Sequence, residues 1–174
     1  MSLGQVQGIK SFYGHFWIGL AGLLISPARG ILVFSPIFIF SFIYLFYILF
    51  TKKHDPIFKY LAVSVILLII LYAKWGMWWG GWTFGYRLLI ELIPPLILFL
   101  ALFWEDLIEK KLYLKRIFFV SLLLSIYIHS LGAFIYPSDF NYAPNNIDQH
   151  QERLWYIFDT EITRCTLRFF KQLL

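Results

Sequence analysis

Four long apolar runs occupy most of the first 136 residues of this chain, at 31–50, 57–73, 88–104 and 117–136. Each approaches the roughly 20 apolar residues that a helix needs to cross a bilayer. The hydrophobic residues form blocks and do not follow the period of an amphipathic helix or strand. The pattern predicts an all-α membrane protein, a polytopic helical bundle of about four spans.

The composition agrees with a membrane protein. The chain is 60% hydrophobic and 14% charged, whereas a soluble domain has about 45–50% apolar and about 25% charged residues. The net charge of +5 comes from basic residues at the ends of the apolar runs, which is the pattern of topology signals. We therefore expect membrane lipid, and no nucleic acid, as a partner. The single cysteine, Cys165, excludes an intrachain disulfide.

The segment before the first run admits two interpretations. The start, "MSLGQVQGIK", lacks the charged and apolar regions of a cleavable signal peptide. "FWIGLAGLLIS" follows, and it is apolar but short. Residues 12–26 form either a thin fifth span or an interfacial or re-entrant helix, and we favour the helix that does not cross because Pro27 and Gly30 allow only a tight reversal.

The connecting loops predict the orientation. "TKKHDPIFK" and "WEDLIEKKLYLKR" are rich in lysine and arginine, whereas "KWGMWWGGWTFGYR" between them carries only Lys74 and Arg87. The positive-inside rule places the first two loops in the cytoplasm. We call the segment "KWGMWWGGWTFGYR" the Trp/Gly loop. This loop then faces outward, together with "SPARG" and the tail. We expect a bundle at 1–136 and an extracytoplasmic tail at 137–174, in a bacterial cytoplasmic membrane.

The tail is predicted to end in an amphipathic helix. Asp159 is the expected N-cap, with Glu161 in the first turn. One face carries Ile162, Cys165, Phe169, Phe170 and Leu173, and the other carries Arg164, Arg168 and Lys171. A basic helix of this kind lies on a membrane surface or docks on its own bundle.

"WWGGWTFGYR", residues 78–87, is the first candidate binding site. Trp79 and Trp82 fit the aromatic belt of any membrane protein, but a belt does not explain the glycines, which permit positive φ and close approach. An aromatic loop that ends in Arg87 would suit a lipid phosphate or a sugar, because a guanidinium binds phosphate through two parallel hydrogen bonds. Lys74 is a second candidate cation, or it snorkels to the headgroups.

Two further charges accompany this loop. Glu91 lies four residues after Arg87, on the same face of an α-helix, where it either serves a function or pairs with Arg87 to hold the loop; the structural role is favoured. Arg29, in "SPARGILVFSP", lies on an outward turn. Arg29 and Arg87 either approach one phosphate from two sides or are two ordinary interfacial arginines.

Three stretches occur in order: "GLAGLLISPARGILVFSP", "WWGGWTFGYRLLIELIPPL" and "NNIDQHQERLWYIFDTEITR". Together they resemble the C-terminal region of bacterial membrane glycosyltransferases of the GT-C class, which includes the protein mannosyltransferases. Gln151 stands where proline is common in that family, and Tyr86 and Glu91 also depart from its pattern. The resemblance implies transfer of a sugar from a polyprenyl-phosphate donor on the outer face of the membrane.

The resemblance covers binding positions only: Arg29, Trp79, Trp82 and Arg87. In such enzymes the catalytic acid lies in the first outward loop, which nothing here matches, so the catalytic residues are unknown. The chain resembles the back half of an enzyme, whose partner would be a catalytic N-terminal half or subunit. One alternative is a non-catalytic membrane module that binds a lipid-linked intermediate or a catalytic partner. Another is a remnant without activity that folds as a helical bundle. The histidines lack metal-ligand spacing and no nucleotide loop occurs, so neither a metal nor a cofactor is expected.

Overall fold

The computed structural model describes residues 14–108, 112–136 and 138–173, and within these ranges the chain is helical and has no strand. The described part contains seven α-helices: α1 (Phe16–Ile25), α2 (Ile31–Phe34), α3 (Phe38–Phe50), α4 (Pro56–Ala73), α5 (Ile93–Phe103), α6 (Leu112–Ile135) and α7 (Glu161–Leu173). It also contains 3-10 helices at Arg87–Leu92, Ser138–Asn141 and Gln151–Trp155, and a π-helical turn at Trp104–Ile108. The predicted all-α class is confirmed.

Three helical stretches are long and apolar enough to cross a membrane: Pro56–Ala73, Arg87–Asp106 and Leu112–Ile135. They correspond to the predicted spans at 57–73, 88–104 and 117–136. The start of helix α4 is well defined. The Asp55 carboxylate accepts a hydrogen bond from Ile57 N at 2.9 Å, and Pro56 occupies the first helical turn, where a backbone N–H has no helical acceptor and its absence costs nothing. The length and composition of these helices fit an integral membrane protein.

The predicted span at 31–50 is interrupted, and a bundle of four spans is not confirmed. Helix α2 ends at Phe34 and α3 begins at Phe38. Between them, Ser35 adopts φ −132° and ψ 74°, because the ring of Pro36 disfavours the α conformation in the preceding residue. Helix α3 alone rises about 20 Å, which is short of the roughly 30 Å hydrocarbon core.

Pro94 and Pro95 have a different effect from Pro36. Both lie in the first turn of α5, where their missing N–H groups need no helical partner. The preceding 3-10 helix at Arg87–Leu92 leads directly into α5. The prolines therefore mark a change from 3-10 to α geometry inside a continuous helical stretch.

Helix α1 is too short to cross the membrane, since ten residues rise about 15 Å. The chain at both of its ends contacts segments that were predicted to face outward. Gly14 N donates to Lys74 O at 3.3 Å, and Ser26 Oγ donates to Leu154 O at 2.7 Å. This arrangement fits the interfacial or re-entrant helix expected from the sequence.

The loops separate into two groups at the two ends of α4. At one end, Asp106 binds Lys53 and lies 3.1 Å from His54 Nε2. At the other end, the Arg29 turn, the loop that follows α4 and the tail contact one another. We call this second end the tail-side end. The structure thus groups the loops as the charge bias predicts.

Two glycines of α1 allow it to pack closely on its neighbours. A Cβ atom at Gly19 would lie 2.2 Å from the carbonyl oxygen of Ala73, at the end of α4. A Cβ atom at Gly22 would lie 2.3 Å from the Trp78 ring. The close approach of α1 to the end of α4 therefore requires glycine at these positions.

We predict that Gly19→Ala lowers the thermal unfolding midpoint in detergent. The added methyl group meets backbone, which shifts less easily than a side chain, and overpacking costs about 1–3 kcal/mol. Ile18→Ala is the matched control, because Ile18 is exposed on the same helix. Equal midpoints for the two variants would contradict the close packing of α1.

Candidate functional site

Arg29 is buried at the tail-side end, and its side chain is 1% exposed. A guanidinium has five N–H donors, and each of them faces an acceptor. The acceptors are Trp79 O at 3.1 Å, Ala28 O at 2.9 Å, the Glu161 carboxylate at 2.6 Å, Gly81 O at 3.3 Å and Asn141 Oδ1 at 2.9 Å. The structure thus places Arg29 in an internal network instead of the outward phosphate site predicted for it, and no donor is left for a ligand.

Glu161 completes this network from the first turn of α7. Its carboxylate accepts hydrogen bonds from Gly85 N at 3.1 Å and from the Tyr136 hydroxyl at 3.0 Å, in addition to the Arg29 ion pair. Burial raises the pKa of Glu161, while the Arg29 charge and the Gly85 N–H act against that rise. Sequence reasoning placed Glu161 in a helical turn but did not identify it as the partner of Arg29.

The loop at 78–87 is shaped by its glycines, as the sequence predicts. Gly80 and Gly81 have φ of 74° and 76°, values that residues with a Cβ atom rarely adopt. This conformation accompanies the two carbonyl contacts to Arg29, from Trp79 and Gly81. The backbone of the loop is therefore fixed from inside the protein.

The indoles of Trp79 and Trp82 meet at one carboxylate of the tail. Trp79 Nε1 donates to Asp148 Oδ1 at 3.0 Å, and Trp82 Nε1 donates to Asp148 Oδ2 at 3.1 Å. Trp82 is 49% exposed, and its ring centroid lies 6.2 Å from that of Tyr142. We call Trp79, Trp82, Tyr142 and Asp148 the indole–carboxylate cluster. Asp148 lies in the third quoted stretch but was not among the residues predicted for the site.

Arg87 and Lys74 are the exposed cations of this end among the residues predicted for the site. Arg87 lies beside the loop, since a Cβ atom at Gly80 would be 3.4 Å from Arg87 Cβ. Within the described residues, neither Arg87 nor Lys74 forms an ion pair or a side-chain hydrogen bond. Both cations are therefore free to meet an anion from outside the described part of the protein.

Glu91 does not pair with Arg87, and the predicted ion pair is wrong. Both residues lie in the 3-10 helix Arg87–Leu92, where residues four apart are rotated by about a third of a turn. Glu91 instead accepts a hydrogen bond from the Tyr72 hydroxyl of α4. Glu91 thus ties two neighbouring helical stretches together.

The N-cap of the tail helix α7 lies one residue later than predicted, at Thr160, and the helix begins at Glu161. Thr163 N donates to Thr160 Oγ1 at 3.1 Å, so Thr160 supplies the capping oxygen in place of Asp159. Asp159 binds two arginines instead, Arg164 at 2.5 Å and Arg153 at 3.3 Å. Burial acts to raise the pKa of Asp159, but the hydrogen bonds from Arg164 and Arg153 outweigh it and hold that pKa below its usual range.

Helix α7 docks on its own bundle, one of the two outcomes predicted for it. It packs against α6. Cys165 is buried on the docked side, whereas Phe170, predicted on the same face, is exposed. The docked helix holds Glu161 in place beneath the 78–87 loop.

No protein-family model, curated protein or solved structure matches this chain. Assignment of the site therefore rests on its geometry and on the three quoted stretches.

We predict that Arg29→Met or Glu161→Leu destabilises the protein by about 3–5 kcal/mol, because either change leaves a buried charge without its partner. Arg87→Met, an exposed arginine of the same end, is the control and should leave the thermal midpoint nearly unchanged. The double variant should lose less stability than the sum of the single losses, since the two side chains interact directly. Equal midpoints for Arg29→Met and Arg87→Met would refute the internal role of Arg29.

We also predict an acid-dependent contribution from Asp159. Because the folded pKa of Asp159 lies below its unfolded value, ionised Asp159 stabilises the tail fully above the unfolded pKa. This stabilisation is lost as the pH falls through the lower folded pKa. The difference in thermal midpoint between the wild type and Asp159→Asn should be constant from about pH 7 to about pH 5 and shrink below about pH 4. A difference that persists unchanged at the lowest pH would contradict the ion pairs.

Proposed function

We propose that this chain is the C-terminal part of a membrane glycosyltransferase and that its tail-side end binds a polyprenyl-phosphate-linked sugar. The observation that carries the proposal is the exposed Arg87, which has no ion-pair partner among the described residues. It lies at the end of the loop that contributes Trp79 and Trp82 to the indole–carboxylate cluster. A cation beside exposed aromatic rings suits a ligand that combines a phosphate with a sugar.

Arg87 and Lys74 would bind the phosphate. Arg87 opens the helical stretch Arg87–Asp106, and Lys74 follows the end of α4, so both cations lie where membrane helices end. Guanidinium groups bind phosphate oxygens through paired hydrogen bonds, and lysine adds a point charge. The phosphate of a membrane lipid lies at the membrane surface, at the same depth as these two cations.

The indole–carboxylate cluster would bind the sugar. Trp79 and Trp82 each donate one hydrogen bond to Asp148, and a carboxylate has about four lone-pair sites. The remaining sites can accept hydrogen bonds from sugar hydroxyls. The exposed rings of Trp82 and Tyr142 offer apolar faces with a polar edge.

Two further features support the proposal. The three quoted stretches resemble the GT-C class in order, and two of them supply this site, with Trp79, Trp82 and Arg87 from one and Asp148 from the other. The lysine-rich loops meet at the opposite end of α4, so the positive-inside rule favours an extracytoplasmic tail-side end in a bacterial cytoplasmic membrane.

A non-catalytic binding module is the second candidate, and the state of the carboxylates favours it. Every aspartate and glutamate of the tail-side end accepts a hydrogen bond or forms an ion pair within the described residues. The six are Glu91, Asp139, Asp148, Glu152, Asp159 and Glu161. The general base for sugar transfer would then come from a catalytic N-terminal half or partner subunit.

We predict that the chain in detergent binds a short-chain polyprenyl phosphate and that Arg87→Ala weakens binding about tenfold, since a hydrogen bond to a charged group contributes about 1.5–3 kcal/mol. Arg116→Ala, an exposed arginine at the start of α6, is the matched control and should bind as the wild type does. Equal affinities for the two variants, measured by titration calorimetry, would refute the assigned site.

The two candidate functions differ in their response to the sugar. Both predict that Trp82→Ala weakens binding of the glycosylated lipid more than binding of the bare lipid phosphate. Only the enzyme predicts release of the lipid phosphate when an acceptor and the catalytic partner are added. Binding without turnover under those conditions would favour the non-catalytic binding module over the enzyme.

A further inference from the structure

Four consecutive large apolar side chains project from the tail, starting at the last residue of the 3-10 helix Gln151–Trp155 and ending just before α7. Trp155, Tyr156, Ile157 and Phe158 are 36%, 51%, 70% and 93% exposed. They lie outside the three candidate spans, so a membrane-crossing role does not explain their exposure. A contiguous exposed apolar patch marks an interaction surface. We call residues 155–158 the apolar wedge.

The charges on either side of the wedge are turned into the protein. Arg153 is 3% exposed and donates to Ala143 O at 2.7 Å, and its guanidinium lies 5.0 Å from the Phe140 ring centroid. Asp159 is bound by Arg153 and Arg164. The wedge therefore presents apolar side chains, and the charged residues on either side of it, Arg153 and Asp159, are paired within the protein.

The wedge lies next to helix α1. Ser26 Oγ, just after α1, donates to the carbonyl of Leu154, the residue before the wedge, at 2.7 Å. The Trp155 ring centroid lies 5.9 Å from that of Trp78, the ring that fills the space at Gly22 of α1. Helix α1 has no charged residue and exposes Trp17 and Ile25. Helix α1 packs on the candidate span α4. We infer that the exposed apolar side chains of this uncharged helix face lipid.

We propose that the apolar wedge inserts into the lipid headgroup and acyl boundary at the tail-side end, as a continuation of the lipid-facing surface of α1. Tryptophan and tyrosine favour this boundary, and apolar side chains there reach about 5–10 Å into the membrane. The wedge has no regular helical hydrogen bonding beyond Trp155, which excludes the hydrocarbon centre but is tolerated at its edge.

Insertion of the wedge fixes the tail relative to the membrane. Leu154 joins the wedge to the α1 turn, and Asp159 joins it to α7, which carries Glu161. The indole–carboxylate cluster, which includes Asp148 from the same tail, is then held close to the headgroup level. This proposal stands whether or not the cluster binds a sugar, because it rests on exposure and on contact with α1.

The test places an environment-sensitive fluorophore on Phe158→Cys in the 174-residue chain in lipid nanodiscs. Gln149→Cys is the control, since Gln149 is an exposed polar position of the same tail. The native thiol does not interfere, because Cys165 is buried and burial raises its pKa to about 11, which leaves it unreactive to labelling. Ile157→Cys provides a second site if Phe158→Cys fails to fold, and helicity and elution profile check each variant.

We expect nitroxide lipids labelled near the headgroup to quench the fluorophore at 158 more than lipids labelled near the chain end. Aqueous iodide should quench it several-fold less at 158 than at 149. Equal iodide quenching at both positions would overturn the proposal, since the wedge would then face water. Protection at 158 from both iodide and nitroxide lipids would also overturn it, in favour of a protein surface that covers the wedge.

Discussion

The arrangement of the tail-side end depends on a buried ion pair between Arg29 and Glu161. Two charges removed from water stabilise a protein only when their hydrogen bonds are complete, and here the carbonyls of the Trp/Gly loop and Asn141 complete those of Arg29. The turn after α1, the loop and the tail therefore need one another. The Phe140 ring adds to this mutual dependence, since the guanidinium carbons of Arg29, Arg153 and Arg164 lie 5.7, 5.0 and 5.5 Å from its centroid. Such a ring attracts cations, and nearby carboxylates offset their charges.

Two arginines that contact or end the Trp/Gly loop, Arg29 and Arg87, differ in their surroundings. Arg29 binds the backbone of the loop from inside, and Arg87 stays exposed at the end of the same loop. With its carbonyls held by Arg29, the loop directs two indole N–H groups to Asp148. A surface that is supported from below in this way has little freedom to rearrange, which is the condition for precise recognition of a polar ligand. Arg87 can then contribute to specific binding, although its own side chain has no ion-pair or hydrogen-bond partner among the described residues.

Most of the fold was predictable because apolar length is a local property. The spans at 57–73, 88–104 and 117–136 follow from composition alone, and the positive φ values of Gly80 and Gly81 follow from the glycines. The helix break at Pro36 was not predicted. A proline can interrupt a helix, as Pro36 does, or fit into the first turn of one, as Pro94 does, and the local sequence does not distinguish the two cases. The different states of Arg29 and Arg87 were not predictable, since both are single arginines beside apolar runs. What separates them is Glu161, a residue of the distant tail that no local pattern connects with Arg29.

The contact between Ser26 and Leu154 joins positions 128 residues apart, and Arg29 and Glu161 meet across a similar separation. Because a chain is made from its N-terminus at about 5–20 residues per second, the first turn waits for several seconds before its partners exist. During that interval the Arg29 charge has no carboxylate to pair with and must remain hydrated. The N-terminal part therefore reaches its final burial only when the tail has been delivered to the same side of the membrane. Docking of α7, which is synthesised after α1, thus completes the assembly of the turn that follows α1.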